Sequence, residues 1–376
     1  MAAVRMAVGE TAARTGTVAV RQRFHAAVAL RPRPLGTYGS PMMTNPIPRW
    51  LASPLRSLAS PLIAVGVFLL AACERPPEPI PIDADEHRAS VAAFAAARAS
   101  ELQAPDSWLS LIGLHWLDEG ETTLGADSAM DITLPPDRAP ARVGRLIRRG
   151  ATVRFVAEPG VLVTQGVDST LNLPAGSGAV AFDASGDPLV READLTADVG
   201  AGKFVVLRLG DLNWIVIRRE EQVALRLRDN AGGAYANWDG IDRYPTSPEW
   251  RVTARWVAHD KTVAVPNVLG TVSESPSPAA LEFWIDGARH TLDVVGEPDH
   301  GRYMLVFADA TSGAETYGGG RYLWVDQPDE RGRVVVDFNL AYDPPCVWTA
   351  FATCPLPTRD NRLTIAVTAG ERGAGH

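Results

Sequence analysis

Apolar and polar residues alternate along most of the chain. Within residues 222–229, Val223, Leu225 and Leu227 occupy every second position, and residues 281–286 repeat the arrangement. Such alternation places one set of side chains on each face of a β-strand. Successive runs are separated by Gly, Asp and Pro turn signals. We therefore predict an all-β fold, an antiparallel sandwich or barrel-like structure built as two β subdomains.

Residues 83–105 follow a helical period instead. This alanine-rich segment carries apolar side chains at i, i+3 and i+4 spacing between Val91 and Leu102. Alanine has the highest helix propensity, and an aspartate, Asp83 or Asp85, can cap the first turn. The pattern predicts one short N-terminal helix whose narrow apolar stripe packs against the β structure.

The N-terminal region carries the features of an export signal. Arg49 and Arg56 precede an apolar run over residues 62–72, which is too short to span a bilayer as a permanent helix. The run ends in LAAC, which resembles the lipobox of bacterial lipoproteins. That resemblance implies that Cys73 is lipidated and anchors the protein to a membrane. A plain secretory signal is the alternative.

Two further features refine this prediction. Residues 1–42 contain six arginines and a single acid, and we interpret Met42 or Met43 as the true start, with a cytoplasmic extension as the alternative. Glu74, where inner-membrane lipoproteins usually have aspartate, favours the outer membrane. We expect the mature protein on the periplasmic side of the cell envelope.

The predicted organisation has five segments. A proline-rich stretch after the cysteine is typical of an extended, semi-rigid tether that holds the folded part away from the membrane. A turn-rich aromatic segment at 232–250 separates two blocks of strands. The segments are 1–72 (disordered extension plus lipoprotein signal peptide), 73–82 (tether), 83–105 (helix), 106–240 (first β subdomain) and 241–372 (second β subdomain with the C-terminal motif).

Net charge limits the possible partners. The first 72 residues hold eight of the 36 basic residues and one of the 44 acidic residues, so the remainder carries a formal net charge of −15. Such a surface repels polyanions, so we expect no nucleic-acid partner, and contact with the membrane only through the lipid.

The two remaining cysteines predict a disulfide. Cys346 and Cys354 would both lie in an oxidising compartment, separated by seven residues. Zinc binding is a weaker alternative, because no histidine lies nearby and two more ligands would be needed. A catalytic thiol is a further alternative.

Several segments resemble a known family. They are NWIVIRR, DRYPTSPEW, FADATSGAETYGGGRYLWV and VVVDFNLAYDPPCVWTAFATCPLPTRDNRLTIAVTAGE. Together they are similar to an uncharacterised bacterial family catalogued as domain of unknown function 1684, over about residues 90–372. The sequence departs from the family pattern at Asp343, where asparagine is usual, and at Ala350-Phe351, where proline-tyrosine is usual. The resemblance implies no established activity.

Polar residues concentrate near the C-terminus, between Phe307 and Leu363. A Gly318–Gly320 turn precedes an arginine, which can hold an anion by a bidentate fork or mark a simple hairpin. The architectural interpretation is that Asp337 pairs with Arg321 and locks the sheet to the proline-rich loop. The alternative is a ligand or catalytic site. The candidate ligand-binding residues are Tyr317, Arg321, Asp337, Asn339 and Asn361.

We expect a binding or scaffold module whose polar site holds an anionic small molecule or an envelope component. The alternative is a cofactor-free periplasmic hydrolase that uses Asp309 or Asp337 with His300 and Arg321. The sequence contains no nucleophile elbow, zinc-protease, Walker or dinucleotide signature. We therefore expect no cofactor and no metal.

Overall fold

The computed structural model describes residues 75–165, 189–195, 197, 204–219 and 221–373. The predicted signal peptide, the extension before it and Cys73 lie outside these residues. Among the residues described, no helix is long and apolar enough to cross a membrane.

The described chain consists mainly of β-strands. The two α-helices are α1 (Ala84–Gln103) and α2 (Gly233–Ala236), and short 3₁₀ helices span Trp108–Ser110, Pro248–Trp250, Phe338–Leu340 and Pro345–Val347. The strands are β1 (Leu111–Trp116), β2 (Gly120–Gly125), β3 (Ile132–Thr133), β4 (Gly144–Arg149), β5 (Thr152–Ala157), β6 (Val163–Gln165), β7 (Leu189–Val190), β8 (Glu192–Leu195), β9 (Leu207–Leu209), β10 (Leu212–Arg219), β11 (Gln222–Asp229), β12 (Arg251–Pro266), β13 (Val272–Ile285), β14 (Ala288–Asp293), β15 (Val295–Asp299), β16 (Arg302–Phe307), β17 (Arg321–Asp326) and β18 (Arg333–Asp337).

The predicted N-terminal helix is confirmed. The Asp83 side chain accepts hydrogen bonds from the backbone N–H groups of Asp85 and Glu86, so it is the N-cap residue. The buried face of α1 consists of His87, Val91, Arg98 and Leu102. Two of these four are polar, which means that the helix buries groups that need hydrogen-bonding partners.

The predicted all-β class is also confirmed, with sheets that are mostly antiparallel. A six-stranded sheet (β1-β11-β10-β9-β6-β7) and a five-stranded sheet (β3-β2-β4-β5-β8) share one apolar core that includes Phe155 and Trp214. A four-stranded sheet (β14-β13-β12-β18) and a three-stranded sheet (β15-β16-β17) share a second core around Phe283, Phe307 and Phe338. The described strands form no closed barrel. The division into two subdomains at residue 240 stays a prediction.

The alternation correctly predicts which residues of these strands face the core, but it does not predict burial of the opposite face. In β13, Leu281 and Phe283 are fully buried in the second core, as the pattern predicts. In β11, the alternate residues Ala224 and Arg226 are buried as well. The Trp108 ring covers this second face, with the Arg226 guanidinium 5.1 Å from its centroid. The polar side of β11 is therefore buried as well as its apolar side, because a distant segment covers it.

The proline-rich stretch does not stand free where the structure describes it. Residues 75–82 lie on the four-stranded sheet, and the Arg251 side chain donates to the Ile80 carbonyl oxygen at 2.7 Å. The Ile80 N–H in turn donates to the Thr253 hydroxyl at 2.8 Å. An extended chain rich in proline has backbone groups with no internal partner, and arginine side chains of the sheet satisfy them here.

Candidate functional site

The C-terminal polar region is a buried cluster of arginines and acids, and Arg321 lies at its centre. Arg321 begins β17 directly after Gly320, whose φ is +84°. A Cβ atom on Gly320 would lie 2.5 Å from the Phe307 carbonyl oxygen, so only glycine fits. A Cβ on Gly319 would meet the half-buried Tyr317 ring at 2.3 Å. The glycine turn therefore serves close packing around the arginine.

Arg321 is fully buried and holds the C-terminal segment in place. Its Nη2 donates to Asp309 Oδ2 at 2.8 Å and to the Val367 carbonyl oxygen at 2.9 Å. Its Nη1 donates to the carbonyl oxygens of Ala369 and, at 3.2 Å, Glu371. One side chain thus satisfies three alternate carbonyl groups of a segment that forms no strand. Arg321 therefore holds the C-terminal segment in the fold.

Asp309 is saturated by the same assembly. Its Oδ1 accepts from the Thr311 N–H at 2.8 Å, the Thr311 hydroxyl at 2.6 Å and the Val367 N–H at 3.2 Å. The side chain is 1% exposed and the other oxygen is bonded to Arg321. A carboxylate with this many donors has little capacity to act as a general base.

The expected pairing of Asp337 with Arg321 is wrong, because Asp337 is bonded to a different partner. Its Oδ2 lies 2.7 Å from His87 Nε2 of α1, and both side chains are buried. Its Oδ1 accepts from the Asn339 N–H at 3.1 Å and from Asn339 Nδ2 at 2.8 Å. Asp337 ends a strand of the four-stranded sheet, and Arg321 begins a strand of the three-stranded sheet. The aspartate attaches the N-terminal helix.

Asn339 and Asn361 bridge backbone segments. Asn339 accepts from the Ser247 N–H at 2.9 Å and donates to the Ser247 carbonyl oxygen at 2.8 Å. Asn361 accepts from the Asp293 N–H at 2.8 Å and donates to the carbonyl oxygens of Asp293 at 2.8 Å and Val306 at 3.0 Å. Both asparagines are buried. Their polar atoms are engaged inside the protein.

A second group of charges lies beside Arg321. Glu371 Oε1 lies 3.7 Å from Arg98 Nε and 3.4 Å from Arg243 Nη1. Glu371 Oε2 accepts from the Asp343 N–H at 2.7 Å. Arg98 also donates to the Asp343 carbonyl oxygen at 3.1 Å. We name this set the ion-pair cluster, and it consists of Arg98, Arg243, Asp309, Arg321, Asp343 and Glu371.

Burial raises the pKa of two acids in the ion-pair cluster. It raises the pKa of Glu371 to about 7 and that of Asp343 to about 6, although nearby arginines oppose both changes. Both residues are fully buried. Neither carboxylate oxygen of Asp343 has a fully formed hydrogen bond within the described chain, and the neighbouring Gly373 amide lowers the pKa only in part. Asp343 is the poorly compensated charge of the cluster.

Sequence reasoning missed five residues of this network. His87 and Arg98 lie on the buried face of α1, so polar residues in the apolar stripe were the available signal. Asp343 stood out only as a departure from the family pattern. Arg243 and Glu371 carry no local signal, because their roles depend on contacts with residues more than 90 positions away in the chain.

The structure does not place His300 with the other hydrolase candidates. Its side chain is 90% exposed in the turn between β15 and β16, with the Asp299 carboxylate 3.6 Å away. Asp309, Asp337 and Arg321 are buried and bonded to other partners. No acid, base and anion holder converge on one exposed point among these residues. Across the described part of the chain, no group of three or more His, Cys, Asp and Glu side chains could hold a metal ion.

The predicted disulfide between Cys346 and Cys354 is confirmed. Its loop packs with Val306 and Tyr322 on the side of the three-stranded sheet that faces away from the second core. Within this loop, the Thr349 hydroxyl donates to the Leu111 carbonyl oxygen at 3.0 Å. The loop therefore connects the three-stranded sheet to β1 of the six-stranded sheet.

These features define a class: a mostly antiparallel β-protein whose C-terminal segment is held by a buried arginine and a disulfide loop. Residues 236–372 match the family model described as Protein of unknown function (DUF1684). The matched range is shorter than the predicted range of about 90–372.

No curated protein matches the chain. Among solved structures, the chain is similar to the solution NMR structure of an uncharacterized protein from Haloarcula marismortui. The two are 30% identical, the match covers 36% of this chain and 78% of that chain, and the TM-score is 0.32.

Proposed function

We propose that this protein is a non-catalytic scaffold or binding module of the cell envelope, anchored by lipid on Cys73 on the periplasmic side, at the outer membrane. In this proposal the ion-pair cluster is a structural lock and does not perform chemistry. The lipobox-like LAAC sequence and the apolar run before it support the anchor. The saturation of the candidate catalytic groups supports the absence of catalysis.

One observation carries the proposal. The terminal nitrogens of Arg321 donate hydrogen bonds to Asp309 and to three carbonyl groups of the C-terminal segment. An arginine that held an exchangeable anion would need free donors facing a cavity or solvent, and this side chain is 0% exposed. The residue therefore suits a fixed internal partner.

A second candidate function is the binding of a small anion beside Arg243. The supporting observation is that three guanidinium groups surround two carboxyl groups with raised pKa values. Protonation of Asp343 and Glu371 would leave positive charge in excess, and Arg243 is the most exposed of the three arginines at 15%. An anion at that position would restore neutrality.

The Arg321→Ala variant distinguishes a lock from a ligand site. Loss of a buried ion-pair partner costs about 3–5 kcal/mol, so we expect a large fall in melting temperature. The matched control is Arg145→Ala, which removes an arginine that is 47% exposed and pairs with Glu121 at 3.6 Å. That variant should be nearly neutral. An Arg321→Ala protein with unchanged stability and lost binding of a small anion in a thermal-shift screen would contradict the lock.

The anchor is tested separately. The Cys73→Ser variant of the full chain should move from the membrane fraction to the soluble fraction after cell lysis. Continued membrane association of this variant would refute lipidation as the means of attachment. The folded body should have the same melting temperature in both forms.

A further inference from the structure

The segment that follows the predicted lipid site is fastened to the protein surface up to its first described residue. The Arg255 side chain donates to the Arg75 carbonyl oxygen at 2.8 Å. Farther along, Arg333 donates to the Glu78 carbonyl oxygen at 3.2 Å. The Glu78 carboxylate also lies 3.0 Å from Arg331. The segment therefore follows the sheet surface from residue 82 back to residue 75.

The direction of this segment follows from its contacts along β12. Ile80 is bonded to Arg251 and Thr253, whereas Arg75 is bonded to Arg255. The chain thus runs antiparallel to β12. Residues 251, 253, 255 and 257 share one face of the strand, because side chains alternate, and the intervening Ala254 is buried in the second core. At Arg75 the described segment lies beside Arg255, two positions before Val257, which is 36% exposed.

The surface around this point has a distinctive composition. Arg255 lies 3.5 Å from Glu282, and its guanidinium is 5.6 Å from the centroid of Trp284. Arg289 is 50% exposed and also lies 3.5 Å from Glu282. We name this surface the arginine face. It consists of Arg255, Glu282, Trp284, Arg289, Arg331 and Arg333, on the side of the four-stranded sheet opposite the core.

Covalent geometry places the predicted lipid site next to this face. Two peptide units separate Cys73 from Arg75, and they span at most ~7 Å. A lipid on Cys73 would therefore be attached at most ~7 Å from Arg75, whose carbonyl oxygen is bonded to the arginine face. The folded body can move away from the membrane only if the contacts at Arg75 and Ile80 break.

We propose that the arginine face lies against the lipid headgroups, so that the anchor fixes the orientation of the folded body as well as its location. This inference rests on the proposed lipidation of Cys73. Charge supports it. The four arginines of the face pair with three acids, Glu282, Glu78 and Asp329, which leaves one positive charge in excess. Residues 73–376 as a whole carry a formal net charge of −15. Anionic headgroups attract the face and repel the rest of the body. Tryptophan and arginine are also residues that favour the membrane–water interface.

Site-specific fluorescence quenching tests the orientation. The full, lipidated chain is reconstituted in phosphatidylethanolamine–phosphatidylglycerol vesicles that contain a headgroup spin label. An environment-sensitive dye is attached without reduction to Val257→Cys, which leaves the native disulfide closed. The matched control is Leu162→Cys, a position 66% exposed beside the six-stranded sheet. Position 162 directly precedes β6, which belongs to the other core, whereas the arginine face lies on the four-stranded sheet of the second core.

We expect several-fold stronger quenching at position 257 than at position 162. A Gly-Ser linker of about 20 residues, inserted between Glu74 and Arg75, has a reach of about 25 Å. It should abolish the difference while the protein still floats with the vesicles. Equal quenching at the two positions of the original chain would overturn the orientation and leave the anchor intact. A chain that does not float with vesicles would overturn the anchor and the orientation with it.

Discussion

The replacement of Asp343 by asparagine should stabilise the protein at neutral pH. Asp343 carries a large desolvation cost. Its side chain is 0% exposed to solvent, and its carboxylate oxygens have no fully formed hydrogen bond among the described residues. Asparagine has nearly the same shape and stands in for the neutral, protonated acid. The substitution therefore removes a charge while it preserves packing.

The magnitude follows from linkage. Burial raises the pKa of Asp343 from 3.8 to about 6, so between these values the folded state binds more protons than the unfolded state. Stability consequently falls as pH rises through this range. At ~1.4 kcal/mol for each pH unit between the two values, the full cost above pH 6 is about 3 kcal/mol. An amide that also lacks a partner loses about 1 kcal/mol of that gain. We expect a net stabilisation of about 2 kcal/mol at pH 8, and below pH 4 a net destabilisation of about 1 kcal/mol, because only the loss from the amide remains there.

Thermal and urea unfolding of both proteins across pH 4 to 8 measure this effect. For a body of this size, about 2 kcal/mol corresponds to a rise of several degrees in melting temperature. The control is Asp118→Asn, an exposed aspartate in the turn after β1, which should change stability little at any pH. A stabilisation by Asp343→Asn that is equal at pH 4 and pH 8, or a loss of stability at pH 8, would refute the argument.

Three further substitutions test how the glycine turn, the N-terminal helix and the disulfide loop are held in the fold. Gly320→Ala should cost several kcal/mol in urea unfolding, because its Cβ would lie 2.5 Å from a backbone oxygen at positive φ; an unchanged midpoint would contradict the close approach. His87→Ala leaves Asp337 buried without its partner at 2.7 Å, so limited proteolysis should cleave α1 faster, and wild-type resistance would rule out its role in attaching the helix. Joint replacement of Cys346 and Cys354 by serine should lower stability by about 2–3 kcal/mol under oxidising conditions, with no difference from wild type once both proteins are reduced.

Much of the local structure was predictable from short-range patterns. Asp83 and Asp85 were both candidate caps because N-cap preference depends only on neighbouring amides, and the structure shows that Asp83 is the cap. Leu281 and Phe283 were assigned to a buried face because strand side chains alternate regardless of the tertiary fold. The disulfide followed from two cysteines at short separation. Each of these features depends on a few adjacent residues.

The partners of the buried charges were not predictable in the same way. Asp309 and Asp337 are both carboxylates near Arg321 in sequence, and the architectural interpretation named Asp337 as the partner, which was wrong. The fold decided that Asp309 shares a core with Arg321, whereas Asp337 faces α1 and His87. The docking of residues 75–82 depends likewise on arginines more than 170 positions away.

The amino-acid sequence by itself determined the β class, the N-terminal helix, the disulfide and the concentration of polar residues near the C-terminus. Only the tertiary structure decided that Arg321 pairs with Asp309 and holds the C-terminal segment, and that Asp343 and Glu371 lie in an environment that raises their pKa values. The physical reason is that propensity and alternation are properties of neighbouring residues, whereas desolvation and ion pairing depend on which distant segments exclude water from the same volume.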